Sequence, residues 1–514
     1  MPSIADSRIL SVAEKLLVIL VMTPFLYIAV TVLAHGVPDL PSSGDAALLE
    51  LSTRNVFSRW ILLGPYSRFG FFHPGPIYFQ LRYPIYAVLG QSSSSFLLGT
   101  VLIQMLCLFF AWKSVRSSGA RAVAPLFLAS AALYLLTTDK CVWLSEWNPL
   151  IVILPFMLLV VAMAGAVSGR LACLAAAVVA GSFATQTHIA VFPSIAAILL
   201  LSIAIAAWPR LVGSARRISL RPKPILISLL LLLVLWAAPA YQQLFPGDAE
   251  GNMTRIVQYF RESEPQADSR RSFALWQSTM TNLELGWLRD GPAVRSVAIG
   301  LRLVLLLAAF VLLRRRGDHP FLASLSLFCL MLHAVSWLSV TQIRGRLEDY
   351  LVLWAGVVPL LSLFVILAAL VVVLRGWASV CLRGAAALFL LYSCVALPAE
   401  VSDYYRAELH PSWTNEIAVA ELSRQLRNNL EWDGSTFYVL RLATPSQWPV
   451  LFGLLNSLEK MDLPVGVEQS RFYMSAPVPE GMASRTLLLG MLGQTAMPVP
   501  ELAARWDRIG VLLQ

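Results

Sequence analysis

Runs of apolar residues long enough to cross a bilayer, for which about 20 are needed, recur along the chain at 13–34, 96–112, 122–137, 149–167, 171–187, 190–208, 225–240, 296–313, 320–340, 350–374 and 384–398. The pattern predicts an all-α polytopic membrane protein with about eleven spans. Three intervening segments, 35–95, 241–294 and 399–514, are too polar to be spans and too long to be simple turns. In the first, Leu49, Val56 and Trp60 recur at helical offsets while Arg54 and Arg59 stay polar, which predicts a helix lying along the membrane interface. In the last, a helical stretch over Ala418–Asn429 is followed by an Asp433-Gly434 turn and the strand-like Thr436-Phe437-Tyr438-Val439-Leu440. The chain therefore divides into a membrane domain, 1–398, and a small α/β domain, 399–514. No internal repeat is visible in the sequence.

Composition agrees: with 57% hydrophobic and 13% charged residues among 514, a water-soluble globule is excluded. Charge then sets an orientation. Arg8, Lys15, Lys113, Arg116, Arg121, Arg170, Arg210, Arg216, Arg217, Arg221, Lys223, Arg314, Arg315, Arg316, Arg375 and Arg383 fall at one set of span ends, whereas the opposite short turns hold Lys140, Arg344 and Arg346. The asymmetry predicts a cytoplasmic N-terminus, with all three polar segments, including the C-terminal domain, on the periplasmic or extracellular side. The net charge of +9 thus records topology and implies no nucleic-acid partner. The first span follows a basic segment and is longer than a signal-peptide core, so it reads as an uncleaved anchor. The six cysteines form no CxxC pair and suggest neither a zinc site nor a disulfide framework. Usage rich in Ala, Leu and Arg but poor in Lys points to a bacterium of high GC content, which for a multi-pass helical chain sets the expected location as the inner membrane.

The span centres carry almost no ionisable residue, whereas a proton- or ion-coupled transporter keeps such groups near the midplane. Acids and bases gather instead in the outer loops. Ser43-Gly44-Asp45-Ala46-Ala47-Leu48-Leu49-Glu50 and Gly64-Pro65-Tyr66-Ser67-Arg68-Phe69-Gly70-Phe71-Phe72-His73-Pro74-Gly75-Pro76 place two acids, an Arg and a His beside the first span. Asp45 has a plain alternative as a helix N-cap. Glu50, four residues before Arg54, reads as half of a surface ion pair. Asp139 and Lys140 could be an exposed turn, His188 an interfacial imidazole bonded to backbone, and Tyr350 with Arg346 an interface anchor.

These loops resemble the GT-C class of polytopic glycosyltransferases, in particular the branch of protein O-mannosyltransferases and lipid A aminoarabinose transferases. In that branch an acid opens the first outer loop and a Lys-Pro-Pro-Leu-Tyr-like segment closes it. Here Asp45 opens the loop and His73-Pro74-Gly75-Pro76-Ile77-Tyr78-Phe79 closes it. Arg344-Gly345-Arg346-Leu347-Glu348-Asp349-Tyr350-Leu351 is similar to an Arg-Tyr-Leu-Leu-Pro-like segment near the tenth span, and Asp139 stands where an acid is common in the second outer loop. Two departures stand out: Ala46 follows Asp45 where the branch often has Glu, and His73 replaces a Lys that would contact the donor phosphate.

The resemblance implies a GT-C-like fold and transfer of a sugar from a polyprenyl-phosphate-linked donor to a cell-envelope glycan, lipid or protein, with the greasy carrier lying between spans beside membrane lipid. Asp45 is then the candidate catalytic base, and Arg68, His73, Tyr78, Asp139, His188, Arg344, Arg346 and Tyr350 the candidate substrate-binding residues. His73 could serve a phosphate either protonated or as a neutral hydrogen-bond donor. Asp45, Asp139 and His188 could together hold a divalent metal ion, and no other cofactor is implied. Two other functions remain open: a transporter or flippase of lipid-linked sugars, which would also need a hydrophobic groove and basic phosphate contacts, and a noncatalytic envelope-assembly subunit, whose outer C-terminal domain would bind a partner.

Overall fold

A computed structural model describes residues 4–35, 41–215, 221–247, 250–264, 268–283, 291–374, 376–408, 414–430, 432, 436–442, 445–467, 482–491 and 509–513. Arg216, Arg217, Arg375 and the expected Asp433-Gly434 turn lie outside the described residues. Among the described residues, 9 helices are long and apolar enough to cross a membrane: Lys15–Ala34, Ser93–Ser117, Asn148–Val167, Ile189–Ala207, Pro222–Leu244, Pro292–Arg316, Pro320–Thr341, Leu353–Val373 and Trp377–Asp403. Two shorter apolar helices, Arg121–Thr137 and Cys173–Thr187, occupy the remaining two expected positions. Every hydrophobic run in the sequence is thus a helix. Satisfying each backbone N–H and C=O within the segment leaves the helix as the one open-chain way to cross hydrocarbon.

The chain forms two compact units: Met1–Ala29 with Leu63–Ile77 and Thr100–Ser402, and Val30–Leu62 with Tyr78–Gly99 and Asp403–Gln514. In the first unit the helices differ sharply in burial. The window in Asn148–Val167 is 100% buried among its neighbours and that in Pro222–Leu244 only 11%, so the former is a central packing element and the latter a peripheral one. Asn148–Val167 packs on Cys173–Thr187, Pro320–Thr341 and Ile189–Ala207, and Phe156 meets Trp354 edge-on at 5.3 Å.

The second unit contains the expected α/β domain. Strands β1 (Thr436–Leu442), β2 (Val465–Val467), β3 (Ala483–Met491) and β4 (Ile509–Leu513) form one sheet in the order β2-β1-β3-β4. β1 is parallel to both β2 and β3, and β3 is antiparallel to β4. The helix Trp448–Lys460 is the crossover between β1 and β2, as a parallel pair requires. It buries Leu451, Leu454, Leu455 and Leu458, and packs on the helix Thr414–Asn429, which contributes Ala418, Val419, Leu422 and Leu426.

That crossover helix also packs on Gly44–Asn55, and this changes the reading of the first loop. Ala47, Leu48, Leu49, Leu51, Ser52, Thr53 and Asn55 of Gly44–Asn55 are all buried, so the helix is covered on most of its circumference instead of on one stripe. Of the expected stripe, Leu49 and Val56 are buried, while Trp60 is 80% exposed.

Candidate active site

In the first unit, the loop after residue 62 folds into a miniature hairpin. Gly64 N–H donates to the His73 carbonyl at 2.9 Å, His73 N–H to the Pro65 carbonyl at 2.9 Å, and Ser67 N–H to the Phe71 carbonyl at 3.0 Å. Gly70, with φ +84°, makes the turn, which puts Arg68 at the tip and His73 at the base. Asn252 fixes the outer strand as another strand would: Phe72 N–H donates to Asn252 Oδ1 at 2.9 Å, and Asn252 Nδ2 donates to the Phe72 carbonyl at 2.8 Å. A Cβ at Gly64 would lie 2.6 Å from the Gln186 carbonyl and 2.8 Å from that of His73, so only glycine allows the close approach.

Around the tip, residues far apart along the chain meet. Arg68 Nη2 donates to the Arg346 carbonyl at 2.9 Å, and Arg68 Nη1 lies 3.8 Å from Glu348 Oε1. Arg346 Nε pairs with the same carboxylate oxygen at 2.8 Å. The Arg68 guanidinium sits over the rings of Phe69 and Tyr350, 5.0 and 5.6 Å from their centroids, and Tyr350 in turn contacts Trp147 at 4.6 Å. Tyr259 packs on Phe69 and Phe71 at 5.1 and 5.3 Å. Burial raises the Tyr259 phenol, and the charges of Arg344 and Arg68 pull it back down, which places both guanidiniums within electrostatic reach of it. Among the described residues, Arg344 Nε is buried without a hydrogen-bond partner. Arg68, Arg344 and Arg346 therefore converge in the first unit with Glu348 between two of them, leaving a net positive surface walled by aromatic rings.

His73 lies beneath, 5.2 Å from His188 between ring centroids. Its Nδ1 accepts the Ile189 backbone N–H at 3.2 Å, which assigns the ring proton to Nε2. Burial first, and His188 second, hold His73 well below the usual histidine range, and burial pulls His188 down to about 4. Both rings are neutral at pH 7. Of the two ways His73 could serve a phosphate, only the Nε2–H donor remains. Among the described residues neither ring nitrogen of His188 has a partner although the side chain is buried, so this imidazole presents a donor and an acceptor to whatever polar group reaches it.

Asp139 does something simpler. It is exposed and caps the short helix Lys140–Leu144, accepting the Cys141 N–H at 2.9 Å, while Lys140 pairs with Glu400. Among the described residues, no three His, Cys, Asp or Glu side chains form a group able to hold a metal ion.

In the second unit, Ser43 takes the N-cap position of Gly44–Asn55 and Asp45 stands exposed in the first turn, where the helix dipole favours negative charge. Ser43 Oγ donates to Glu416 Oε1 at 2.5 Å, tying this helix end to Thr414–Asn429. Tyr78 is fully buried, and its hydroxyl accepts from Arg82, whose guanidinium lies over the Phe96 ring at 3.5 Å.

Glu50 is the residue the sequence misrepresents. It is 0% exposed. Its carboxylate accepts from Tyr86 Oη, Ser93 Oγ and Asn456 Nδ2, each at 3.0 Å, and also from Ser42, and it pairs with Lys460. Arg54, its expected i,i+4 partner, pairs with Asp462 at 3.2 Å instead. Nor do the sequence motifs assign a role to Glu348 or Tyr259. The only sequence signal for Glu348 is its place two residues after Arg346, and for Tyr259 an aromatic pair, Tyr259-Phe260, on an otherwise polar helix.

No family model matches the chain, and no curated protein matches it by sequence. Solved structures do. One, described as ArnT from Cupriavidus metallidurans bound to undecaprenyl phosphate, aligns over 95% of this chain and 97% of its own with a TM-score of 0.59 at 11% identity. The chain has the ArnT fold. The apo form of ArnT aligns over the same shares with a TM-score of 0.52 at 12% identity. The GT-C-like architecture expected from the loop motifs is thereby borne out, including the small C-terminal sheet. The ArnT likeness extends across both units, although so few residues are shared that the roles of individual side chains rest on their geometry in this chain.

Proposed function

We propose that this protein is a membrane glycosyltransferase that moves a sugar from a polyprenyl-phosphate donor to a cell-envelope acceptor, a glycan, lipid or protein, at the outer face of a bacterial inner membrane. The observation that carries the reading is the convergence of Arg68, Arg344 and Arg346 beside the aromatic rings of Tyr259 and Tyr350. The ArnT structure with undecaprenyl phosphate supports the choice of lipid.

The acceptor oxygen attacks the anomeric carbon as the bond from that carbon to the phosphate oxygen breaks, with inversion at carbon. The bonding pair leaves on polyprenyl phosphate, and the acceptor proton passes to Asp45. Guanidinium forks bind phosphate oxygens bidentately, so Arg68, Arg344 and Arg346 are assigned to the charge that grows on the leaving phosphate. His73 Nε2–H is assigned a neutral hydrogen bond to the donor. The test is lipid and glycan mass spectrometry of cells lacking the protein, complemented with wild type or with Asp45→Asn. Wild type restores a missing sugar and Asp45→Asn, present at equal abundance in the membrane, does not. Full restoration by Asp45→Asn removes Asp45 from the reaction.

A further inference from the structure

A second basic site lies in the first unit, well removed in sequence from the hairpin. A cavity of about 460 Å³ is lined by Arg210, Gly213, Ser214, Val311, Arg314 and Arg315. Arg210 belongs to the turn that follows the span Ile189–Ala207, and Arg314 and Arg315 end the span Pro292–Arg316. The positive-inside tendency accounts for arginines at span ends. It does not account for three of them facing one cavity, where like charges repel.

The cavity is built by a specific close approach. Gly213 has φ +76°, and a Cβ there would run into the Arg314 carbonyl. Gly317 ends the helix at φ +74°, and its Cβ would lie 2.9 Å from the Gly213 carbonyl. The two glycine turns interlock, and Arg314 Nε donates to the Arg210 carbonyl at 3.4 Å. Among the described residues, none of the three arginines forms an ion pair. The carboxylate next along the chain, Asp318, lies 3.9 Å from His319 and does not line the cavity.

The wall above the arginines is apolar. Val311 lines the cavity and is exposed, and Leu307 and Val304, four and seven residues earlier on the same helix face, are exposed as well. Trp208, exposed beside Arg210, marks the level at which tryptophan prefers the membrane–water boundary. A cationic cavity that continues into an apolar lane suits an amphiphile with an anionic head better than a free ion.

We infer that the cavity lined by Arg210, Arg314 and Arg315 binds the phosphate of an anionic phospholipid headgroup, with the acyl chains along Val311, Leu307 and Val304. A phosphodiester with no cation in its own headgroup is the group recognised, since a choline would be repelled by the three arginines, and the lipid is its source. The test uses the full-length protein, purified in detergent and stripped of lipid, titrated with dioctanoyl-phosphatidylglycerol, dioctanoyl-phosphatidylcholine or inorganic phosphate, with binding read by native mass spectrometry. The expected result is saturable binding of phosphatidylglycerol, weakened about tenfold or more by R210A/R314A/R315A. Ser214→Glu, which keeps all three arginines but adds a negative charge to the lining, weakens it likewise and covers the case in which the triple variant misfolds. K113A/R170A/K223A, which removes the same charge elsewhere, leaves it unchanged. Equal binding of phosphatidylcholine, or equal losses in the control variant, overturns the site. Equal binding of inorganic phosphate overturns the lipid assignment.

Discussion

Replacing Lys460 by Met isolates the energetics of the buried Glu50 carboxylate. Removing one partner of a fully buried ion pair costs about 3–5 kcal/mol, because the other charge is left without compensation. Two features of this pair reduce that figure. The Lys460 side chain is 22% exposed, so water can reach the vacated position, and Glu50 keeps the hydrogen bonds from Tyr86, Ser93 and Asn456. About 2–3 kcal/mol remains, which corresponds to roughly 30- to 150-fold in an opening equilibrium. The assay is hydrogen exchange of the amides in Gly44–Asn55, whose protection depends on staying packed against Trp448–Lys460. Glu50→Gln, which keeps a hydrogen-bonding group and leaves a lysine able to reach solvent, costs less. The double variant costs at least about 1 kcal/mol less than the two single changes added together. Exchange within threefold of wild type in Lys460→Met, or strict additivity in the double variant, refutes the claim that this pair holds the helix.

The two buried imidazoles give the fold a pH dependence of defined sign. Below pH about 6.5 the unfolded chain takes up a proton at each histidine, while native His188 resists until about 4, so stability falls as pH drops through that window and is unaffected above it. For His188 alone the loss between pH 7.5 and 5.5 is about 1 to 1.5 kcal/mol, measurable as a steeper acid limb in denaturant unfolding that His188→Gln flattens. If His73 serves the donor as a neutral Nε2–H donor, transfer does not decline above pH 6.5 on its account, and a decline abolished by His73→Gln sinks that role. Arg346 is 78% exposed, so its pair with Glu348 contributes at most about 1 kcal/mol to stability. Arg346→Ala should instead raise the KM for the lipid donor with little change in melting temperature. An unchanged KM removes Arg346 from the phosphate contact.

How much of this was legible depended on the range over which each signal acts. A span is a local property: about twenty residues carry the whole cost of entering hydrocarbon, and even the two shorter helices, Arg121–Thr137 and Cys173–Thr187, were visible at their expected positions. The strand at Thr436 was equally local, whereas the three-residue β2 is defined only by its pairing with β1. The arginines of the site were legible through their loop motifs. That Glu348 also faces Arg68, and that Tyr259 lies near Arg68 and Arg344, was not, because closeness in space across more than eighty residues leaves no periodic trace. Glu50 failed for the same reason in stronger form. An acid four residues before an arginine is a fair surface pair on an isolated helix, and only Asn456 and Lys460, about four hundred residues further along, turn it into a buried charge.

The two acids of the first loop consequently part company. A general base needs a lone pair that can turn to the acceptor hydroxyl. Glu50 is sealed from solvent with its oxygens occupied by Ser42, Tyr86, Ser93, Asn456 and Lys460, so an acceptor could reach it only after that whole set had moved. Asp45 is solvent-exposed, five residues earlier on the same helix, whose end is anchored through Ser43 and Glu416. A short helix held near its middle by the Glu50 cluster and at its N-terminal end by Ser43 keeps its first-turn acid fixed within the second unit, the local preorganisation that proton transfer rewards. Conservative amide replacements should separate the two. Asp45→Asn abolishes transfer and leaves exchange protection of the helix intact, whereas Glu50→Gln loosens the helix and retains measurable transfer in proportion to the folded protein. Inactivity of both variants at wild-type stability would place Glu50 in the chemistry and break the division of labour argued from its burial.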